Sequence, residues 1–325
     1  MRATQTQDLL RAAELLAQGQ LVAIPTETVY GLAAHALMPE AVSRIFAVKE
    51  RPAFDPLILH LASAKSVSSY AQQVPPEFER LYRYFGPSPL TYILPKKSLV
   101  PDLVTAGHAT VGIRIPRHPL TRQLLQKLDF PLAAPSANLF GRLSPTSAGA
   151  VAEQLGDRIP LILDGGECPV GVESTIIDLT APQPRVLRLG GITLEALTQA
   201  LGQKPLVAAH SSSNPQAPGM LSAHYSPGVP VEMVPSFPTE IPQPASTGLL
   251  CFKQWHPGHP PGLQEVLSSR GDLEEAAAQL FAALRRLRAH AQIKRILAET
   301  FPEEGLGRAI NDRLRRAAAT GKEKG

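Results

Sequence analysis

A proline-dense stretch divides this chain of 325 residues into two parts. Nine prolines lie between Pro227 and Pro261. Proline lacks the backbone N–H that helices and central strands need, so neither a long helix nor an interior strand can run through this stretch. Together with the chain length, this predicts two domains. We place a first domain at residues 1–202, a linker at 203–228 and a second domain at 229–325.

The first domain alternates between helical and strand patterns. Apolar residues repeat on one face over 6–18, 39–50 and 193–201, which predicts helices there. Short apolar runs between them predict strands at 21–25, 56–62, 90–95, 110–116, 131–136, 161–166, 175–180 and 185–190. Some of these strands are separated by only a turn, so antiparallel pairs must occur beside βα units. The pattern predicts a twisted mixed sheet with flanking helices.

The second domain has fewer elements. Its pattern predicts strands at 231–234, 248–252 and 293–299, with helices at 272–290 and 306–319. This order favours a small doubly wound, Rossmann-like α/β domain.

Several enzyme classes lack their sequence motif here. The only Gly-Lys pair, Gly321-Lys322, is followed by Glu323 and cannot form a Walker loop. No GxGxxG follows a strand, and no GxSxG elbow occurs. Cys168 and Cys251 lie far apart and no histidines have zinc-site spacing, so neither a disulfide framework nor a catalytic zinc is expected. Cys168 as a nucleophile lacks a nearby base.

Location and charge give weaker signals. No run approaches the length of a membrane span, and Asp8, Arg11 and Glu14 fall where a signal peptide would be apolar, so we expect a cytoplasmic protein without membrane contact. From Arg285 to Gly325 there are 11 Lys and Arg against 5 Asp and Glu. This basic end is either a solvated helix face or a surface that meets nucleic acid.

Two segments of the first half carry hydroxyl and cationic groups. In residues 24–36 a strand runs into Thr26, Glu27 and Thr28 and then a glycine turn, which suits a polar ligand or the cap of a following helix. Residues 49–60 place Lys49, Arg51 and His60 around a proline-punctuated loop. They predict a cationic wall for phosphate or carboxylate, although cations at a helix end also suit the helix dipole.

Two later segments complete a candidate pocket. Arg114 lies among apolar residues at strand spacing, where an arginine usually serves a bound anion or a buried carboxylate. Ser136 and Asn138 follow a short strand. Gly165, Gly166 and Gly171 frame a loop ending at Glu173 and Ser174, and the amides of such a loop can hold an anion. Cations, hydroxyls and amides with few carboxylates predict a polyphosphate pocket.

These segments resemble the threonylcarbamoyl-AMP synthase family, in which a YrdC-like catalytic domain precedes a further domain. The matching strings are PTETVYGL, the KxR of Lys49 to Arg51, the SxN of Ser136 to Asn138, GVESTI, and RLGGI at 188–192. PGMLSAHYSP at 218–227 resembles the linker of the two-domain form. The likeness covers nearly the whole chain and is sparse after residue 228.

The resemblance implies that L-threonine, bicarbonate or CO2, and ATP give threonylcarbamoyl-AMP and pyrophosphate. It also implies Mg²⁺ held through phosphates with no side-chain metal ligand. Partners would be the machinery that transfers the threonylcarbamoyl group to the adenosine beside the tRNA anticodon, with at most a weak tRNA contact by this chain.

The same resemblance assigns residues. The threonine site would be Thr28, His60, Arg114, Ala134 and Ser174, with Arg114 holding the carboxylate through a bidentate fork. The ATP site would be Arg51, Asp55, Thr110, Ser136, Asn138, Ser144, Arg188 and Tyr225, with the linker closing over the cleft. Lys49 and Arg51 would be catalytic cations. Asp55 departs from the common Asn, and its charge beside a triphosphate would need magnesium or protonation.

Two alternatives remain. A non-catalytic RNA-binding YrdC-like module would use the basic end and would not require Arg114 or Ser174 in a threonine pocket. The carbamoyl-transfer protein of hydrogenase maturation contains a similar domain, but it resembles a longer chain with zinc-binding CxxC pairs, which this sequence lacks.

Overall fold

The structure, a computed structural model, describes residues 3–208, 217, 220 and 223–320. The chain divides into two units. The first contains residues 1–140, 145–169 and 173–221, and the second contains residues 141–144, 170–172 and 222–325. Among the described helices, none is long and apolar enough to cross a membrane.

Helices of the first unit surround its sheet. They are α1 (Leu9–Ala17), α2 (Pro39–Lys49), α3 (Val67–Tyr70), α4 (Pro76–Phe85), α5 (Asp102–Thr105), α6 (Pro119–Gln126), α7 (Ala148–Leu155) and α8 (Leu194–Leu201), with a 3-10 turn at Ala64–Ser66. The predicted helices 6–18, 39–50 and 193–201 correspond to α1, α2 and α8. The helices α3 to α7 were not predicted. The four-residue helices α3 and α5 are too short to show a period, whereas α4 has a clear apolar face that was overlooked.

Local chemistry sets the helix ends. Asp8 caps α1 by accepting a hydrogen bond from the Arg11 N–H, and Gly19 follows the helix with φ of +72°. Proline occupies the first turn of α2, where its missing N–H costs no hydrogen bond. Thr193 caps α8.

The strands of the first unit are short. They are β1 (Thr4–Thr6), β2 (Val22–Ile24), β3 (Gly31–His35), β4 (Ile58–His60), β5 (Leu90–Pro95), β6 (Thr110–Arg114), β7 (Leu132–Ala133), β8 (Leu161–Leu163), β9 (Thr175–Asp178), β10 (Arg185–Arg188) and β11 (Leu206–Val207). Within the described residues they form one sheet in the order β1-β8-β2-β3-β7-β4-β6-β5-β9-β10-β11. Both parallel and antiparallel pairs occur in it, which confirms the predicted mixed sheet.

The strand β3 corrects one expectation. Residues after Tyr30 form neither a bare ligand turn nor the start of a helix, because Gly31–His35 pairs antiparallel with β2. A Cβ on Gly31 would lie 3.2 Å from the Cβ of Ala134, so a small residue is needed where these segments meet.

The second unit contains a parallel sheet, as predicted. Its described elements are β12 (Val231–Val234), β13 (Thr247–Cys251), β14 (Gln264–Val266), α9 (Leu273–Ala289), β15 (Arg295–Glu299) and α10 (Gly307–Ala319), with 3-10 turns at Pro244–Ser246 and Pro261–Leu263. The strand order is β12-β15-β13-β14, all parallel. The expectation that no interior strand lies between Pro227 and Pro261 is therefore wrong, because β13 is interior and lies in an interval, residues 245–256, that contains no proline. The strand β14 was not predicted, since its sequence QEV is short and half polar.

Candidate functional site

Five neighbouring strands of the first unit place one residue each in a single row. Each residue is the Cα partner of the next across the sheet. Paired Cα positions carry their side chains to the same face of a sheet. The row consists of His60 (β4), Arg114 (β6), Thr91 (β5), Ile176 (β9) and Arg188 (β10). Residues from 60 to 188 in the sequence thereby meet on one surface.

Arg114, the second residue of this row, contacts Glu27 and Thr28. Its Nη2 donates to Glu27 Oε1 at 2.7 Å, and its Nη1 donates to Thr28 Oγ1 at 3.0 Å. The Arg114 and Glu27 side chains are 5% and 2% exposed. A buried ion pair of this kind is strongly destabilised when one partner is removed, because the other charge is left without compensation. The sequence predicted that Arg114 serves either a bound anion or a buried carboxylate, and Glu27 is such a carboxylate.

Glu27 stays ionised in this position. Burial alone would raise the pKa of its carboxyl, but the charge and hydrogen bond of Arg114 outweigh burial and lower it. The Arg117 N–H adds a hydrogen bond to Oε2 at 3.0 Å. Two N–H groups of Arg114 are thus occupied, while its buried Nε has no partner among the described residues. The Arg114 guanidinium was expected to hold a ligand carboxylate through two N–H groups, and only part of its N–H groups remain available for this.

A turn at Thr26 presents Thr28 to Arg114. The Thr26 hydroxyl accepts hydrogen bonds from the N–H groups of Thr28 and Val29 at 3.1 and 3.2 Å. The hydroxyls of Thr26 and Thr28 lie 2.7 Å apart, so the two side chains fix each other. Serine and threonine commonly make such side-chain turns.

His60 lies beside Arg114 and is uncharged. Burial, followed by the positive charge of Arg114, lowers the pKa of His60 to about 3. The sequence predicted that His60 would join Lys49 and Arg51 in a cationic wall. That prediction is wrong, because the imidazole is neutral and its strand neighbour is Arg114.

Ser174 is tied to the row from two sides. Its hydroxyl lies 2.8 Å from that of Thr91 and accepts a hydrogen bond from Arg188 Nη2 at 3.0 Å. Arg188 also donates to the Ser174 carbonyl through Nε at 3.0 Å and Nη2 at 2.9 Å. Ser174 is 1% exposed, so its position is set by these contacts.

Asp55 forms a buried ion pair with Arg51. Arg51 Nη2 lies 2.9 Å from Asp55 Oδ2, with both side chains almost fully buried. Arg51 also donates to the carbonyls of Asp55 and Pro56 at 3.2 and 2.8 Å. The acidic residue at this position is therefore compensated by the protein itself. Glu27 and Asp55 together mean that the pocket holds more carboxylate than the sequence predicted.

Lys49 supports the loop that carries Ser136 and Asn138. Its Nζ donates to the carbonyls of both residues at 2.5 Å, and the side chain is 1% exposed. Burial, followed by the charge of Arg51, lowers the pKa of Lys49, and Asp55 partly offsets this. The buried Lys49 Nζ therefore fixes the conformation of this loop through its two carbonyl contacts.

The glycine amides expected to hold an anion are already used. The Gly165 N–H donates to the Tyr30 hydroxyl at 3.1 Å, and the Gly166 N–H donates to Asp164 Oδ1 at 3.0 Å. The Tyr30 hydroxyl in turn donates to the Gly166 carbonyl at 2.8 Å. The prediction is therefore wrong for Gly165 and Gly166, whose N–H groups already have partners within the protein.

Other predicted residues lie close to the row or in the second unit. The Ala134 N–H donates to the Ile58 carbonyl at 3.1 Å, which joins Ala134 to the strand of His60. Thr110 begins β6 and, by strand alternation, shares the face of Arg114. Of the described linker residues, Ala217 and Met220 pack with Ile58 and Ile176 on the same sheet.

Ser144 and Tyr225 belong to the second unit. The Ser144 carbonyl accepts a hydrogen bond from Arg285 Nη1 at 2.9 Å. The Tyr225 ring is 1% exposed and stacks on Phe281, with ring centroids 5.5 Å apart. The guanidinium of Arg316 lies 4.8 Å from the Tyr225 ring centroid.

Three residues near Arg114 were not among the residues assigned to the threonine and ATP sites. Thr26 and Glu27 were named only as part of the segment at 24–36 that suits a polar ligand, without a contact to Arg114. Thr91 gave no local signal, because only the register between β5 and β6 places it beside Arg114.

The donor groups of the site do not form a metal centre. Within the ranges that the structure describes, no group of three or more His, Cys, Asp or Glu side chains could hold a metal ion. Glu27 and Asp55 are each engaged by an arginine. The residues present do not fit a protein-held magnesium ion.

Two family models match the chain. Sua5_yciO_yrdC, described as telomere recombination, matches residues 14–190. Sua5_C, described as the C-terminal domain of threonylcarbamoyl-AMP synthase, matches residues 192–319.

Similar proteins cover almost the whole length. A Pyrococcus abyssi protein named threonylcarbamoyl-AMP synthase is 42% identical and is matched over 94% of this chain and 93% of its own length. A Bacillus subtilis protein of the same name is 38% identical, over 97% of this chain and 94% of its own. A crystal structure of P. abyssi Sua5 with L-threonine superposes with a TM-score of 0.90 at 37% identity, covering 99% of this chain and 98% of that one.

A crystal structure of full-length HypF shares only the fold. It matches at 23% identity with a TM-score of 0.52, over 57% of this chain and 30% of its own length. The near-complete matches at higher identity decide the relationship, and this chain belongs to the threonylcarbamoyl-AMP synthase family.

Proposed function

We propose that this protein is a threonylcarbamoyl-AMP synthase that uses L-threonine, bicarbonate or CO2, and ATP, and releases pyrophosphate. The observation that carries the proposal is the buried Arg114 group, with Glu27 and Thr28 beside it and Ser174 held by Thr91 on the adjacent strand β5. A surface that only bound RNA backbone would not need a buried, compensated arginine with an unused N–H.

The threonine site follows from this group. We assign the carboxylate of threonine to the remaining N–H groups of Arg114, of which Nε is buried without a partner. Neutral His60, Thr28 and Ser174 offer polar contacts for the amine and hydroxyl. Ala134, whose Cβ lies close to Gly31, offers a small apolar surface for the methyl group. The Glu27 charge keeps Arg114 from being an uncompensated cation when threonine is absent.

The chemistry requires two bond-forming steps. The threonine amine attacks CO2, forms a carbamate and releases a proton; bicarbonate instead releases water. A carbamate oxygen then attacks the α-phosphorus of ATP, and pyrophosphate leaves. Neither step needs a protein nucleophile, so positioning and charge neutralisation can account for catalysis.

We also assign a nucleotide site. Arg51, Asp55, Thr110, Ser136, Asn138, Ser144, Arg188 and Tyr225 are the proposed ATP residues. Lys49 acts by fixing the carbonyls of residues 136 and 138. The linker would close over the cleft, and the packing of Ala217 and Met220 beside Ile176 supports this.

Magnesium would enter as part of the MgATP substrate, held by phosphates. We propose a cytoplasmic protein whose product is taken up by the transferase that modifies tRNA next to the anticodon.

Pyrophosphate release by the purified protein tests the function. We expect release from ATP only when both L-threonine and bicarbonate are present, with L-serine and L-valine as control amino acids. Release without threonine would indicate a nucleotide hydrolase and contradict the proposal. RNA binding without any release would favour the non-catalytic module.

A further inference from the structure

In the parallel sheet of the second unit, the connections that leave the adjacent strands β13 and β15 run towards opposite edges of the sheet. The chain leaves β13 towards β14, its neighbour on one side. It leaves β15, the neighbour on the other side, towards α10, which packs against β12. In open α/β sheets, ligands bind in the crevice outside the carboxyl ends of two such strands. The fold therefore nominates the edge beyond Cys251 and Glu299.

A crevice of about 590 Å³ lies at that edge. This volume is within the ~300–1,000 Å³ of typical small-molecule sites. The residues that directly follow β13 and β15 line it, with one aromatic ring that follows β12. The lining used here is Phe237, Phe252, Lys253, Trp255, His256 and Glu299. All of these belong to the second unit.

Aromatic rings dominate the lining. Trp255 is 57% exposed, an unusual state for so large an apolar ring. His256 packs edge-on to Phe237, with ring centroids 6.1 Å apart, and its Nε2 lies 3.0 Å from the Pro238 carbonyl. The packed rings of His256 and Phe237, together with the exposed indole of Trp255, form a surface on which a planar base can stack.

Glu299 contributes an oriented acceptor. Its Oε2 accepts the Phe252 N–H at 2.8 Å, which fixes the carboxylate at the end of β15. Within the described part of the chain, Oε1 has no such partner. A carboxylate oxygen in this position can accept a hydrogen bond from an exocyclic amine of a nucleobase.

Lys253 contributes a cation. Its Nζ lies 5.2 Å from the Phe252 ring centroid, and among the described residues it has no ion-pair partner. A single ammonium group suits one phosphate group rather than a triphosphate. The side chain rests against Gly271, where an added Cβ would come within 2.4 Å of Lys253 Cε.

We propose that this crevice binds a single nucleotide unit whose base carries an exocyclic amine. The base stacks on Trp255, its amine donates to Glu299 Oε1, and its phosphate contacts Lys253. The site is separate from the catalytic residues assigned in the first unit. A free mononucleotide and an unpaired nucleotide of an RNA chain share this chemistry.

Trp255 makes the site directly measurable, because it is the only tryptophan of the chain. Titration of the full-length protein with CMP should quench its fluorescence. UMP, which lacks the exocyclic amine, should bind at least about tenfold more weakly, since a hydrogen bond to a charged group is worth about 1.5–3 kcal/mol. A short oligocytidylate separates the two sources: tighter binding than CMP indicates RNA, and equal binding indicates a free nucleotide.

Glu299→Gln tests the base contact without removing the Phe252 acceptor, because the Gln carbonyl can still accept that N–H. Its amide can instead donate to uracil, so the preference for CMP over UMP should vanish. Lys253→Gln should weaken CMP but not cytidine. Glu232→Gln and Lys294→Gln, in the same unit outside the crevice lining, are the matched controls.

Two results would overturn the proposal. One is the absence of quenching by every mononucleotide and by the oligonucleotide at millimolar concentration, with calorimetry of the unchanged protein also showing no binding. The other is equal binding of CMP and UMP that Glu299→Gln leaves unchanged, with thermal midpoints showing that the variant is folded.

Discussion

Two buried arginines of the first unit form ion pairs with carboxylates, and the sequence predicted the members of these pairs unequally. Arg114, Arg51 and Asp55 were candidates from the sequence, whereas Glu27 was only part of a motif. The pairs Arg114–Glu27 and Arg51–Asp55 are each separated by less than 3 Å. A buried arginine thus implies a nearby carboxylate, and the sequence cannot identify which one until the register of the strands is known.

Replacing Arg114 by Lys should separate threonine binding from ATP binding. Lysine keeps a positive charge near Glu27 but loses the planar fork and the donor to Thr28. We expect the Kd for L-threonine to rise about tenfold or more, and the Kd for ATP to change less than about twofold. Calorimetry of each ligand alone measures both values, with Arg117→Lys, an exposed neighbour, as control. Equal loss of both affinities would contradict separate sites.

His60 should make the protein less stable in acid. Its folded-state pKa is about 3, below the ~6.5 of an unfolded histidine, so the folded state binds fewer protons. Stability from this group is complete above pH 6.5 and is lost as the pH falls towards 3, by up to about 1.4 kcal/mol per pH unit. Urea unfolding at pH 7, 6 and 5 should show a smaller loss for His60→Gln than for the wild type. The exposed His290→Gln should follow the wild type, and identical slopes for all three would refute the assignment.

At the scale of elements, the end of β10 and the residues that follow it hold the Ser174 loop in place. The guanidinium of Arg188 donates hydrogen bonds to Ser174, and Gly190 packs directly on the backbone of the loop. A Cβ on Gly190 would lie 2.2 Å from the Glu173 carbonyl oxygen and 2.5 Å from the Ser174 carbonyl carbon. The RLGGI string therefore resembles the family and also supplies the glycine that close packing against the Ser174 loop requires.

Gly190→Ala should therefore displace Ser174. We expect a loss of about 1–3 kcal/mol in the free energy of unfolding, as for other overpacked sites. Pyrophosphate release should fall at least about tenfold, because small misplacements of positioning groups are costly. Gly149→Ala in α7 is the control, since its Cβ would meet only Ser147 Oγ at 3.9 Å. A Gly190→Ala enzyme with normal turnover would show that the loop tolerates the shift.

Element types were predictable where the period was strong. The strands at 90–95 and 231–234 have the predicted bounds, and α9 begins one residue after its cap, Asp272. The strand β3 was missed because Gly31 and three alanine or leucine residues carry little strand propensity. Its pairing with β2 and β7 gives it a structure that the local sequence does not specify.

For the whole molecule, the basic end contributes less free charge than its composition indicates. Arg286 pairs with Glu265 at 2.8 Å, Arg313 pairs with Asp312 at 2.5 Å, and Arg315 pairs with Glu303. Arg313 is also 1% exposed. Several cations of this segment therefore serve the second unit itself, which weakens the interpretation of the segment as a nucleic-acid surface.

Binding of single-stranded RNA should accordingly depend only weakly on salt. Each phosphate contact contributes about −0.7 to the slope of log Kobs against log salt concentration. We expect a slope shallower than about −2 for a 20-nucleotide RNA of mixed sequence, measured by fluorescence anisotropy. A slope steeper than about −4 would mean that the surface cations do track a phosphate backbone.

The row across β4, β6, β5, β9 and β10 also has a consequence for biosynthesis. Its first member is His60 and its last is Arg188, and Ser174 is held by Thr91 and Arg188, which lie on either side of it in the sequence. A nascent chain still attached to the ribosome cannot complete this surface before Arg188 has emerged from the exit tunnel. Threonine and ATP therefore cannot stabilise early folding intermediates during translation, and the first half of the chain must find its register without help from its substrates.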